Sequence, residues 1–343
     1  MKKRISFLCL LSFLFASIFS CKQEPFNPLA EWKDISIVYG FINLSDTVHY
    51  MRVCKAFLGE EDAIIMAQNP DSIYYPEGAI VVKLHQVNEQ GTVINSFDLQ
   101  RDELDDKDSG IFARKNIVYR FEHAFNYSVD KTHTLKMEIT EPETGKKIES
   151  SCEFVSYNFG YILQNGYFPP LQLSNNKEAK LPLSSVKNTK MGEVYLTYYY
   201  GEAPAGERDR NKYERKSVVW KMSSQEIIVN QKGEAEIKYM PSEFFTFLEN
   251  TLEYNPSISR INIGDGYLEV WGGSEELYYY NNINNPSGIV VDRPQYTNIT
   301  SNSEEGNDAY GIFSSRFNKG ITLNLRQINI EDLYAINRQF VNI

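Results

Sequence analysis

The four histidines, His49, His85, His123 and His133, are the first residues to weigh for chemistry. None forms HExxH or stands beside a CxxC pair. No two are four residues apart on one helical face, so the converging ligands of a zinc site are not supplied. His85 and His133 fall opposite the apolar residues of alternating runs and read as exposed or cross-strand side chains. The acids Asp102, Glu103, Asp105, Asp106 and Asp108 precede Gly110 and invite a calcium reading. Ile117, however, stands where an EF-hand needs its bidentate glutamate, so a solvated charged loop is the stronger reading and a non-EF calcium site the alternative. No G-x-S-x-G elbow is present. Adjacent acids such as Glu275-Glu276 do not supply the ~5–10 Å separation of a glycosidase pair. Gly264-Asp265-Gly266 and Gly272-Gly273 sit between strand patterns and read as hairpin turns. No catalytic residue, metal ligand or cofactor is assigned.

Cys21 is different. Lys2, Lys3 and Arg4 precede an apolar run over residues 5–19, and Ser20 places a small residue before the cysteine. The run is shorter than the ~20 residues a spanning helix needs, so residues 1–20 read as an export signal. The stretch resembles the lipobox of bacterial lipoproteins, in which a peptidase cuts before the cysteine and lipid joins its thiol. Phe19 departs from the usual small or β-branched residue, a looseness that Bacteroidota lipoproteins share. An ordinary cleaved signal and a retained anchor are the alternatives. The resemblance implies a membrane-held protein of the outer membrane, attached through palmitate-type chains on Cys21. Lys22-Gln23-Glu24 partly resembles the charged signal for the cell surface, with the periplasmic face as the alternative. Export implies an oxidising compartment, which allows a bridge between Cys54 and Cys152; two buried thiols are the other reading.

Without residues 1–20 the chain has 32 basic against 45 acidic residues, a formal charge of −13, which argues against nucleic acid as a partner. The aromatic supply of the full chain is large, 23 Tyr and 20 Phe, with runs at Tyr74-Tyr75, Tyr198-Tyr199-Tyr200 and Tyr278-Tyr279-Tyr280. In a strand, consecutive tyrosines alternate faces, so each run sends at least one ring away from the core. Exposed rings stack on sugars and peptides. Tyr199, Trp220, Trp271 and Tyr279 are the candidate ligand-binding aromatics, against the plainer reading of tyrosine as a β-former with a polar tip. Asp46-Thr47-Val48 and Asp71-Ser72-Ile73 resemble the acceptor sequence of Bacteroidota O-glycosylation, at Thr47 and Ser72.

Residues 21–33 contain Pro25 and Pro28, lack periodicity and read as a lipidated tether. Period-two segments at 35–42, 48–55, 79–87, 117–125, 133–140 and 147–155 then predict strands. Over 134–140, Leu135, Met137 and Ile139 alternate with polar residues, which wets one face and buries the other. The pattern predicts an immunoglobulin-like β-sandwich over 34–156, with a short helix near 60–67. A linker at 157–170 ends in Pro169-Pro170. Residues 171–343 predict a second β-rich, α+β domain, with strands at 193–200, 215–221, 234–239, 258–264, 266–271, 275–282 and 320–326. Its helix at 241–254 puts Phe244, Phe245, Leu248 and Leu252 on one face before Asn255-Pro256, and a further helix is expected within 330–340. Residues 283–311 read as a long loop, packed in its second half.

The lipobox, residues 38–43 (VYGFIN), 46–53 (DTVHYMRV), 292–299 (DRPQYTNI) and 311–316 (GIFSSR) together resemble uncharacterised Bacteroidota outer-membrane lipoproteins of a domain-of-unknown-function family. Some of these are encoded near TonB-dependent transporters. The resemblance implies an outer-membrane binding or assembly role and no more. The anchor, the two β-rich domains and the aromatic excess favour a surface-lipoprotein binding or accessory module that captures a nutrient glycan or peptide, with such a transporter or another envelope protein as partner. A structural or adhesive fimbria-type subunit is the second reading and a carbohydrate-active enzyme the third. A flat or grooved aromatic face would favour binding, a missing core strand the fimbrial subunit, and a cleft with two acids ~5–10 Å apart the enzyme.

Overall fold

Two strands far apart in sequence lie side by side at the centre of the molecule. The computed structural model describes residues 35–56, 63–105, 115–159, 171–174, 176–284, 296–304 and 306–343, so Cys21 and the expected signal and tether lie outside the described residues. β1 (Ser36–Asn43) runs parallel to β16 (Ala309–Asn324), with Val38 opposite Gly311 and Asn43 opposite Arg316. Residues 38–43 and 311–316, distant in sequence, are thus direct neighbours.

These two strands sit inside an eight-stranded sheet. Its order is β12 (Glu214–Glu226), β11 (Met191–Pro204), β14 (Ile258–Gly273), β16, β1, β2 (Val48–Lys55), β6 (Asn116–Glu122) and β5 (Gln100–Leu104). A five-stranded sheet is ordered β15 (Thr300–Ser301), β8 (Lys147–Glu153), β7 (Thr134–Thr140), β3 (Val81–Val87) and β4 (Val93–Asp98). A three-stranded sheet holds β13 (Ala235–Tyr239), β10 (Ala179–Lys187) and β9 (Ser156–Phe159). The helices are short: α1 (Ala63–Gln68), α2 (Pro70–Ile73), α3 (Tyr127–Asp130), α4 (Glu243–Thr251), α5 (Glu275–Asn284) and α6 (Ile330–Ala335). The chain is therefore mainly β, as its period-two patterning predicts. No helix among the described residues is long and apolar enough to cross a membrane.

One face of the large sheet holds the core, except at its edge strand β5. Val38, Ile42, Met51, Val53 and Phe121 share a core with Leu84, Leu135, Met137, Ile139 and Ile148 of the five-stranded sheet. Further along, Val194, Leu196, Tyr198, Leu268 and Val270 share it with Leu181 and Ile237 of the three-stranded sheet and with Phe244 and Leu248 of α4. This is the sandwich logic of alternating inward residues, applied twice against one shared sheet. Hydrogen bonding crosses the boundary expected at 157–170, since β16 pairs with β1 and β15 with β8. Buried Tyr157 ties the halves further: its hydroxyl donates to the Val270 carbonyl at 2.5 Å. Ser315 adds another tie by accepting from Val155 N–H at 2.9 Å and donating to the Glu153 carbonyl.

The structure corrects several local expectations. Residues 275–284 form helix α5, not a strand. Ser274 accepts from Leu277 N–H, Tyr278 N–H bonds back to Ser274 O, and Glu275 and Glu276 suit the positive end, so start chemistry overrides the β-preference of three tyrosines. Gly264-Asp265-Gly266 is no hairpin turn but a bulge within one continuous strand, where the register against β11 shifts between Tyr198 and Tyr200. Gly264 has φ +82, a conformation that glycine adopts without strain. Gly272-Gly273 is the end of that strand rather than a turn. Tyr74 and Tyr75 are both buried, so that run sends no ring outward. Strands β4 and β5 have no clear alternation and no buried residue, so little apolar patterning was required of them; β10, with Ala179, Leu181 and Leu183 inward, is a further strand beyond those expected. The helix expected within 241–254 is α4, and that within 330–340 begins as α6. Residues 296–304 are packed: the Asn298 side chain donates to Phe313 O at 2.6 Å and accepts from Phe313 N at 3.0 Å.

Candidate ligand-binding face

The face of the large sheet opposite the core brings several part-exposed aromatics together in one row. Strand alternation decides its membership. On β11, Val194, Leu196 and Tyr198 point inward, so Glu193, Tyr195, Thr197 and Tyr199 point out. On β14, Leu268 and Val270 point inward, leaving Tyr267, Glu269 and Trp271 outside. Arg316 and Asn318 of β16, Tyr39 and Phe41 of β1, and Tyr50 and Arg52 of β2 continue the row. Tyr39, Tyr50 and Tyr267 are 37%, 40% and 36% exposed. Helix α5 lies on this face: Ser274 Oγ meets Ser314 Oγ at 2.7 Å, and Tyr280 meets Tyr39 edge-on with ring centroids 6.4 Å apart.

Two open cavities flank that helix. One, of about 490 Å³, is lined by Glu193, Tyr195, Thr197, Trp271, Leu277 and Arg316 among others. The other, of about 850 Å³, is lined by Tyr39, Phe41, Tyr50, Arg52, Asn116 and Val118 among others. In the first, the Arg316 guanidinium lies 5.0 Å from the Trp271 ring centroid. Glu193 accepts from Lys221 at 2.5 Å, Tyr195 at 2.9 Å and Ser224 at 3.1 Å. Burial alone would raise the Glu193 carboxyl, but these donors outweigh it and hold the group below its ordinary value. Glu269 accepts from Asn318, whose own carbonyl accepts from Asn43, a side-chain ladder across three strands. In the second cavity, burial and the bond to Tyr280 push the Tyr39 hydroxyl up to about 12.

The four expected aromatics separate. Trp271 lines the smaller cavity. Tyr199 points to the same face, half-buried, with the Arg215 guanidinium 4.0 Å from its ring centroid. Tyr279 is 39% exposed but belongs to α5, where its hydroxyl donates to Glu275 and its ring meets Tyr296 at 5.9 Å. Trp220 is corrected: it is 5% exposed and packs against Phe244 and Phe247, a core ring and not a surface one. Its strand carries Val218, Val219 and Trp220 in succession, and the tight α4 contact turns the tryptophan inward, leaving Val219 58% exposed. Tyr195, Arg316 and Arg52 were not singled out from sequence, although alternation from Tyr199 leads directly to Tyr195.

The other candidates take structural places. His49 is 2% exposed, stacks on Phe121 at 4.7 Å and donates from Nε2 to the His123 carbonyl at 3.0 Å. His85 bonds Ser96, and His133 lies 3.3 Å from Asp130. No cluster of metal-ligating side chains occurs among the described residues. Asp102 pairs with Arg120 and Glu103 with Lys115, the solvated charges expected there, while Asp106, Asp108 and Gly110 lie outside the described residues. Cys54 and Cys152 are not bridged, and burial raises the Cys152 thiol well above its ordinary value. Thr47 is exposed in the β1–β2 turn; Ser72, in α2, is half-buried.

Neither a protein-family model nor a curated protein matches this chain. Among solved structures it is similar to the trypsin-activated alpha-2-macroglobulin of Escherichia coli, at 11% identity and a TM-score of 0.20 over 71% of this chain. The native conformation of the E. coli protein gives 10% identity and a TM-score of 0.19. The chain spans only 14% and 13% of those two proteins. A likeness at that level carries no argument about function.

Proposed function

We propose that this protein is a lipid-anchored binding or accessory protein of the bacterial outer membrane, held through Cys21 at the cell surface, that captures a nutrient glycan or peptide, in partnership with an envelope transporter of the TonB-dependent kind. One observation carries the binding role: the outer face of the eight-stranded sheet presents aromatic side chains in two open cavities beside helix α5, while its other face holds the core. Exposed rings of this kind mark interaction sites more often than isolated surface residues do. The anchor rests on the lipobox-like residues before Cys21. Several acyl chains, at ~0.8 kcal/mol per buried CH₂, hold a body of this size at a bilayer.

Two experiments test the two halves. Cys21→Ser abolishes lipid labelling and releases the protein from membranes; continued membrane fractionation of the variant contradicts the anchor. A glycan and peptide array screened with residues 22–343 returns a reproducible ligand class, whereas silence across all classes contradicts the binding role.

A further inference from the structure

Two arginines on the aromatic face differ from their neighbours. Lys221 is paired with Glu193, Arg215 with Asp265, and Arg120 with Asp102 and Glu122. The Arg316 guanidinium has no ion pair or hydrogen bond among the described residues, only the Trp271 ring. Arg52 reaches a neutral partner, the Asn116 side-chain oxygen, at 2.5 Å. In both, Nε is enclosed and has no hydrogen-bond partner among the described residues, so only the outer nitrogens of the fork can meet a ligand. A guanidinium normally presents its fork to a carboxylate or phosphate, and in each of two neighbouring cavities a fork stands without an ion pair among the described residues, which points to an anion from outside the chain.

The spacing narrows the ligand. Asn43 faces Arg316 and Tyr39 faces Arg52, four residues apart on β1. Two strand spacings across and four residues along put the two arginine Cα atoms about 16 Å apart. One small anion does not span that distance; a short chain with repeated anions does. An extended peptide is usually caught by adding a strand to a sheet edge, yet β14, β16, β1 and β2 are interior strands whose ladders are made on both sides. Recognition here must come from side chains, and rings beside guanidinium forks suit sugar faces with carboxylates. Glu193 and Glu269 already have donors of their own and can accept sugar hydroxyls. The chain as a whole is strongly acidic, so general attraction to polyanions is opposed and affinity must come from local groups.

We propose that this face binds an acidic polysaccharide, its uronate carboxylates paired with Arg316 and Arg52 and its sugar faces laid against Trp271 and Tyr50. The proposal rests on the binding role above and deepens it. The test titrates the full chain in detergent with oligogalacturonate, with its methyl ester, with neutral maltohexaose and with polyglutamate. Oligogalacturonate binds at least about tenfold tighter than its ester, Arg316→Ala loses about tenfold or more, and Arg316→Lys loses less, because charge is kept and the fork is not. Arg52→Ala weakens binding as well, and thermal unfolding of each variant verifies that it is folded. Equal affinity for acid and ester overturns the acidic preference, as does binding of maltohexaose alone, while both leave the binding role standing. Polyglutamate matching oligogalacturonate overturns the glycan class, and unchanged affinity in folded Arg316→Ala overturns the site. Binding of none of these probes overturns the proposal; the binding role itself then falls only if the wider array is also silent.

Discussion

Val38 and Gly311 stand opposite each other in the parallel pair of β1 and β16, and a side chain at Gly311 would overlap the Val38 carbonyl oxygen. Gly311 also has φ +115, which side-chain-bearing residues rarely adopt. Close approach and backbone conformation thus demand glycine at the seam where distant parts of the chain meet. Gly311→Ala is expected to cost about 3 kcal/mol or more, as a clash with backbone adds to local strain. Chemical denaturation measures it; a cost under about 1 kcal/mol would show that the pairing is looser than described.

Most strands of the first region were legible because they have one wet and one buried face, as over Leu135, Met137 and Ile139; β4 and β5, with no buried residue, were not. What those strands pair with was not legible. Asn43 and Asn318, joined at 2.7 Å, are 275 positions apart, and no local pattern encodes a parallel contact over that distance. Trp271 could be placed from the alternation of Leu268 and Val270. Trp220 could have been placed as well, since Val218, Trp220 and Met222 alternate with Ser217, Lys221 and Ser223 and only Val219 interrupts the polar face. The α5 helix was partly written in Ser274-Glu275-Glu276, but the tyrosine run speaks for a strand with equal force.

The two tryptophans should therefore behave oppositely. Trp220→Ala opens a cavity in the core beside Phe244 and is expected to cost about 3–5 kcal/mol. Trp271→Ala, on the half-open outer face, is expected to cost about 1 kcal/mol or less. Unfolding midpoints of the two variants provide the comparison, and equal losses would contradict the assignment of faces.

His49 supplies a pH dependence. Burial among Phe121 and Phe125 lowers its pKa from the ordinary 6.5, outweighing the hydrogen bond to the His123 carbonyl. The unfolded chain then takes up a proton before the folded one does. Stability from this group is full above about pH 6.5 and falls as pH drops towards the folded pKa, with a limiting slope of ~1.4 kcal/mol per pH unit. Denaturation between pH 7 and pH 5 should show the loss, and His49→Phe should flatten it. An unchanged slope in that variant would assign the effect elsewhere.

The most direct measurement of the central claim, that the outer face of the eight-stranded sheet is a ligand-binding surface, is the glycan and peptide array repeated with Trp271→Ala. The expected result is that the ligand class bound by residues 22–343 is lost or reduced about tenfold or more, a change of roughly 1.4 kcal/mol, while the variant stays folded. Unchanged binding of the same ligand by the folded variant would contradict the claim.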